Sequence, residues 1–168
     1  MWTDHSGPVE QALSAAFEQH YLPLLRLCVL LTGSKEEGED LAQEAFVRCA
    51  PRLGILRETD VFPYLRVAAL NHWKNRLRHL ALQRRKSTLI IQDAAARGST
   101  TSTVEERSAL WQAITALPKR QRACLVLRYY EDLSEEQTAT ILETSVGSVK
   151  SHTHRALARL QKEYDDGT

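Results

Sequence analysis

The chain has 168 residues, of which 43% are apolar and 26% charged, and its net charge is +1. This is ordinary globular composition, enough for one domain or two small ones, and it excludes a disordered or fibrous chain. No run approaches the ~20 apolar residues that span a membrane; the longest patch, Leu22 to Leu31, is broken by Pro23 and Arg26.

Acidic and polar residues stand at the N-terminus where a signal peptide would carry a basic and then an apolar stretch, so the expected location is the cytoplasm. Helical periodicity dominates, with no convincing alternating strand pattern, and the expected fold class is all-α. Phe17, Tyr21, Leu24, Leu25 and Cys28 recur at three- and four-residue steps. Thr32-Gly33-Ser34 interrupts them, and Ser34 is placed to cap the next helix. That helix spans about Glu36 to Ala50, with Leu41, Ala42, Ala45, Phe46 and Cys49 as its apolar stripe, and Pro51 and Gly54 end it. A third helix begins near Val61 and continues through Leu65, Ala68, Ala69, Asn71 and Trp73 into a basic run.

The composition then changes. Gly98-Ser99-Thr100-Thr101-Ser102-Thr103 reads as a flexible linker, preceded by apolar Leu89-Ile90-Ile91. The expected division is two small helical domains, 1–86 and 105–168, joined by a linker at 87–104. In the second, Ser108 to Leu117 forms a helix, Pro118 opens the next, and Lys119 to Tyr130 follows. Ser134 and Gln137 form a capping box for a helix that runs to about Leu142. Glu143-Thr144-Ser145 turns the chain, and a last helix runs from Val146 to about Glu163. Two helices joined by so short a turn make a helix-turn-helix.

Charge is distributed unevenly. From Asn71 to Lys86 there are six Lys or Arg and no acid; from Lys35 to Glu44 there are five acids and one Lys. Such asymmetry implies two surfaces with two kinds of partner. On the last helix Val149, Thr153, Ala156 and Leu160 share one face, while Gly147, Ser148, Lys150, Ser151, His154 and Arg155 lie largely on the other. Small residues, donors and positive charge are what a helix needs to enter a major groove and reach base edges and phosphates. In the basic run Lys74, Arg76, Arg78, Arg84, Arg85 and Lys86 interleave with His72, Trp73 and His79. Cations neutralise phosphates, and an aromatic face can stack on an unpaired base; core packing is the other reading of Trp73. Asp40, Gln43, Glu44 and Val47 share a face of the second helix that repels DNA and suits a protein partner.

Metal, cofactor and catalytic roles are not expected. Cys28, Cys49 and Cys124 are far apart in apolar patterns and read as small buried hydrophobes. His152 and His154 are two apart on a helix and diverge, and no metalloprotease, hydrolase or phosphate-loop motif occurs.

Three stretches together resemble the extracytoplasmic-function (ECF) sigma factors of the sigma-70 family, particularly the short actinobacterial sigma-E-like type. The first is Leu30-Leu31-Thr32-Gly33 with Gly38-Glu39-Asp40-Leu41-Ala42-Gln43-Glu44-Ala45-Phe46. It is similar to the family's helix that docks on the large catalytic subunit of RNA polymerase, which implies that Asp40, Gln43 and Glu44 make that contact. The second is Tyr64-Leu65, Asn71 and Arg76-Leu77-Arg78, similar to the segment that melts and reads the −10 element. With it Tyr64, Asn71, Trp73, Lys74, Arg76 and Arg78 are the expected −10 residues. The third runs from Ala116-Leu117-Pro118-Lys119-Arg120-Gln121-Arg122 through Leu127-Arg128-Tyr129-Tyr130-Glu131-Asp132-Leu133-Ser134 to Ser145-Val146-Gly147-Ser148-Val149-Lys150-Ser151. It resembles the −35-binding domain, with Arg120, Ser148, Lys150, Ser151, His154 and Arg155 as expected contacts. Glu143 stands where the family usually has a turn Gly, Thr138 where Ile is usual, and His152 where Arg is usual.

The resemblance implies core RNA polymerase and promoter DNA as partners, and an anti-sigma factor is common in the family. It implies an initiation factor and not an enzyme: the protein supplies specificity and the polymerase supplies catalysis. The 18 residues of 87–104 reach ~60 Å fully extended, while one and a half turns of DNA span ~50 Å. The alternative is a stand-alone helix-turn-helix regulator, which has no use for the acidic Asp40/Gln43/Glu44 face.

Overall fold

The computed structural model describes residues 7–86 and 109–166. The expected linker at 87–104 lies outside the described residues. Among them no helix is long and apolar enough to cross a membrane.

Helix α1, Pro8–Thr32, opens with proline in its first turn, where the missing N–H has no intrahelical partner to lose. It continues through Pro23 and ends at Gly33, whose left-handed backbone (φ 74°) returns its N–H to the Val29 carbonyl at 2.7 Å. Ser34 then caps α2, Lys35–Leu53, accepting the Glu37 N–H. α2 crosses α1 closely at Gly38: a Cβ there would lie 2.6 Å from Val29 Cγ2 and 2.8 Å from the Val29 backbone nitrogen. Leu41, Ala42, Ala45, Phe46 and Cys49 are all buried, as the periodicity predicts.

Helix α3, Glu58–Lys86, is 29 residues long, or about 44 Å at 1.5 Å per residue. It buries Val61, Leu65, Ala69, Leu70 and Trp73; from Arg78 onward every residue is exposed. The helix is thus half core element and half projecting basic rod.

The second half contains α4 (Ala109–Ala116), α5 (Lys119–Leu125), α6 (Glu135–Leu142) and α7 (Val146–Asp166). The expected single helix from Lys119 to Tyr130 widens after Leu125. Over Val126–Tyr130 it becomes a π-helical turn, and the Glu131 N–H reaches back five residues to the Val126 carbonyl at 3.0 Å. Asp132 then adopts φ 54°, and Leu133 returns its N–H to the Leu127 carbonyl. The capping box is closed in both directions: Gln137 N–H donates to Ser134 Oγ at 3.0 Å, and Ser134 N–H to Gln137 Oε1 at 2.8 Å. Ser145 caps α7 through the Ser148 N–H at 3.1 Å.

The main core joins α1, α2 and α3 and also takes in Ala123, Val126 and Leu127 from the second half. Two smaller clusters hold the second half together. Leu117 and Leu125 pack on Ala156, and Cys124 and Ala139 pack on Val149. All three cysteines are buried. Burial pushes the Cys28 thiol up to about 12 and the Cys124 thiol up to about 11, so both stay protonated and inert.

Candidate nucleic-acid interface

On α2 the apolar stripe faces the core and leaves Asp40, Gln43 and Val47 exposed on the opposite side, with Glu44 partly covered. Glu44 Oε1 accepts from Arg48 Nε at 2.7 Å, and this bond is the main cause holding its carboxyl below the ordinary range. The acidic face is thus anionic at neutral pH, with part of its charge shared one turn along.

On α3 the expected contacts separate by depth. Asn71 and Arg78 are exposed, and Tyr64, Lys74 and Arg76 are partly covered. Trp73 departs from the expectation of a stacking surface: it is 4% exposed and its ring is part of the main core. The reason is register, because Val61, Leu65, Ala69 and Trp73 follow one another at four-residue steps on the buried face. Arg76 Nε donates to His72 Nε2 at 3.3 Å, which requires a neutral imidazole. Burial and then the Arg76 and Arg48 cations hold His72 below its ordinary pKa, against the pull of Glu44.

The helix-turn-helix is α6, the turn at Glu143–Ser145, and α7. Val149, Thr153 and Ala156 are buried, whereas Lys150, Ser151, His154 and Arg155 are exposed along the opposite side. Ser148 is partly covered, its hydroxyl bonded to Ser145 Oγ at 2.9 Å. Lys150 Nζ lies 3.5 Å from Glu135. Arg120, at the start of α5, is exposed, and with Arg155 it acts on His152. Burial first, then these two cations, hold His152 below its ordinary pKa. The outward side of α7 therefore offers hydroxyls and cations along its first turns, which is the chemistry of base-edge and phosphate contact.

Comparison with known proteins agrees with this chemistry. The family described as Sigma-70, region 4, matches residues 107–160. An RNA polymerase sigma-E factor of Streptomyces avermitilis is 36% identical over 143 residues, covering 84% of this chain and 79% of the relative. The ECF RNA polymerase sigma factor SigM of Mycobacterium tuberculosis is 30% identical over 159 residues, covering 94% and 80%. The chain belongs to the ECF family of RNA polymerase sigma factors. Its fold is similar to that of the sigma factor RpoE from Bartonella quintana, solved in complex with the anti-sigma factor NepR. The TM-score is 0.54 at 20% identity, covering 89% of this chain and 94% of that one.

In this sigma factor the two halves also meet through residues whose roles are not visible in the sequence. Arg122 is 1% exposed and is surrounded by carbonyls. Its guanidinium donates to Leu31 O (3.3 Å) and Thr32 O (2.7 Å) at the end of α1, and to Thr115 O (3.1 Å) and Leu117 O (2.8 Å) at the end of α4. Those carbonyls are the unpaired, negative ends of two helices, so one cation caps both. Burial pulls Arg122 down to about 10, with Glu37 acting against it, and the side chain remains charged at neutral pH. A Cβ on Gly33 would lie 2.5 Å from this guanidinium, so glycine there serves the turn and the arginine together. Further out, Arg66 pairs with Glu131 at 3.2 Å. Glu143 pairs with Lys74 at 3.6 Å and with Arg78, whose Nε donates to Oε2 at 2.9 Å.

Proposed function

We propose that this sigma factor engages core RNA polymerase through the acidic face of α2, with Asp40, Gln43 and Glu44 as contacts, and reads a promoter with its two helical halves. On this reading residues 1–86 form the −10 unit, 87–104 the linker and 105–168 the −35 unit. Tyr64, Asn71, Lys74, Arg76 and Arg78 act on the −10 strand, and buried Trp73 supports the helix that presents them. Arg120, Ser148, Lys150, Ser151, His154 and Arg155 act at −35.

The observation that carries this reading is the opposition of charge between α2 and the exposed sides of α3 and α7. An anionic helix face repels DNA and selects a protein surface, while cations neutralise phosphates and release counterions. The protein performs no bond chemistry; it works in the cytoplasm beside the polymerase, and an anti-sigma factor is a natural further partner. Opening an unpaired base from the stack costs a few kcal/mol, which contacts on the −10 unit must offset.

The test is run-off transcription with purified core polymerase on a promoter library, with and without the chain. Specific transcripts dependent on the chain are expected. Operator binding in the absence of polymerase, with no holoenzyme formed, would identify a stand-alone regulator instead.

A further inference from the structure

We propose that His72 is a positioning residue for the −10 contact: its neutral ring holds the Arg76 guanidinium by one hydrogen bond and leaves the whole charge of that arginine for a phosphate of the −10 strand. This deepens the reading of α3 as the −10 helix and rests on it.

The pairing of Arg76 differs from that of its neighbours. Lys74 and Arg78 both pair with the Glu143 carboxylate. Among the described residues Arg76 has no carboxylate partner, and its one hydrogen bond runs from Nε to His72 Nε2, one turn back, at 3.3 Å. A guanidinium is a rigid plane of donors, so a bond at Nε orients the plane and leaves both terminal nitrogens to donate. Those two nitrogens form the fork that fits a phosphate.

A neutral acceptor is what this task requires. A carboxylate four residues before Arg76 would also reach it, but it would cancel the cation and repel DNA. Imidazole accepts a hydrogen bond without carrying charge while Nε2 is unprotonated. Burial, then Arg76 and Arg48, favour that state of His72, with Glu44 pulling the other way. Glu44 on α2 acts on both His72 and Arg76, yet its Oε1 is engaged by Arg48 at 2.7 Å. Arg48 thus occupies the acid that could otherwise neutralise Arg76. On its other side Arg76 lines a hollow together with Glu37, Lys119 and Arg122. The two cations there repel the guanidinium, and the His72 bond holds it against them.

The test uses holoenzyme assembled from purified core polymerase and the full-length chain. The probe is a fluorescent duplex of the promoter most active in the run-off library, left single-stranded over the −10 element. Titrations at a series of salt concentrations give the slope of log affinity against log salt, which counts phosphate contacts. Arg76→Gln, His72→Leu and His72→Glu are each expected to lower that slope by about 0.7–1, one phosphate contact. A fourfold rise in salt then weakens the wild type about 3-fold more than the variant. His72→Gln supplies an uncharged acceptor and is expected to keep the wild-type slope. His72→Leu combined with Arg76→Gln should lose no more than Arg76→Gln alone. A damaged fold lowers the fraction of active holoenzyme but leaves the slope of the remainder, and a folding defect in either His72→Leu or His72→Glu leaves the other to decide. A wild-type slope for His72→Leu or His72→Glu beside a lowered one for Arg76→Gln would overturn the role of His72 and leave the −10 reading standing. So would a slope for His72→Gln as low as that for His72→Leu. An unchanged slope for Arg76→Gln would remove Arg76 from the −10 contact and the role of His72 with it, and failure to form holoenzyme would remove the promoter reading as a whole.

Discussion

Replacing Arg122 by alanine should be the most damaging single change in the second half of the chain. The guanidinium is almost fully buried and satisfies four helix-terminal carbonyls. A hydrogen bond to a charged group contributes about 1.5–3 kcal/mol, and a buried carbonyl left without a donor costs about 1–3 kcal/mol. These values do not add over one side chain. The expected loss is about 3–5 kcal/mol, similar to removal of one partner from a buried ion pair. Urea unfolding followed by circular dichroism measures it; with a slope near ~2 kcal/mol per molar, the midpoint should fall by about 2 M. Arg122→Lys should recover less than half, because a point ammonium cannot reach carbonyls on two helices at once. Gly33→Ala supplies an internal check. Its Cβ clashes with the guanidinium in the wild-type chain, and that clash vanishes when Arg122 is alanine, so the double variant should cost less than the two single losses together. A loss below ~1 kcal/mol for Arg122→Ala would refute the argument that this cation caps α1 and α4.

Other expectations address the interfaces. Asp40→Asn with Glu44→Gln should weaken binding to core polymerase about 5-fold or more, mainly through the on-rate, and leave the unfolding midpoint near that of the wild type; equal affinity in a pull-down would remove α2 from the contact. Arg155→Ala or Lys150→Ala should weaken protection of the −35 region in a footprint by about tenfold, the scale of one lost base or phosphate contact. An unchanged footprint would move recognition off α7. Stability should also fall as the solution is acidified through the ordinary histidine value of 6.5. His72 and His152 are both held below that value in the fold, so over that window the unfolded chain binds more protons and acid favours it. The double variant His72→Gln with His152→Gln should flatten the stability profile between pH ~7 and ~5; an unaltered slope would assign the effect to other groups.

Local signals in the sequence were enough for most of the helices. Ser34, Ser134 with Gln137, and Ser145 cap where their side-chain chemistry says they should, and the α2 stripe is buried residue for residue. The burial of Trp73 was also legible, through its place in the four-residue series from Val61, but the neighbouring cations pointed toward nucleic acid. The π-helical turn at Val126–Tyr130 carries no comparable signal: it follows from how Val126 and Leu127 must sit against the first half. Arg122 is similarly opaque. In sequence it is one of three basic residues after Pro118, and only the meeting of α1 with α4 separates it from exposed Arg120.

Glu143 joins these levels. Sequence alone marks it as a misfit, a charged residue where a turn prefers glycine, and local physics agrees, since a left-handed non-glycine costs about 1–3 kcal/mol. Such a cost persists only where the surroundings compensate it, and here they do so through Lys74 and Arg78, 65 residues before Glu143 in the case of Arg78. An exposed pair of this kind contributes at most about 1 kcal/mol, so the turn strain and the ion pairs nearly cancel. The pairs of Glu143 are therefore an accessory to the contact between the halves, which rests mainly on the buried Arg122 bonds to α1 and on the core that Ala123, Val126 and Leu127 share with the first half.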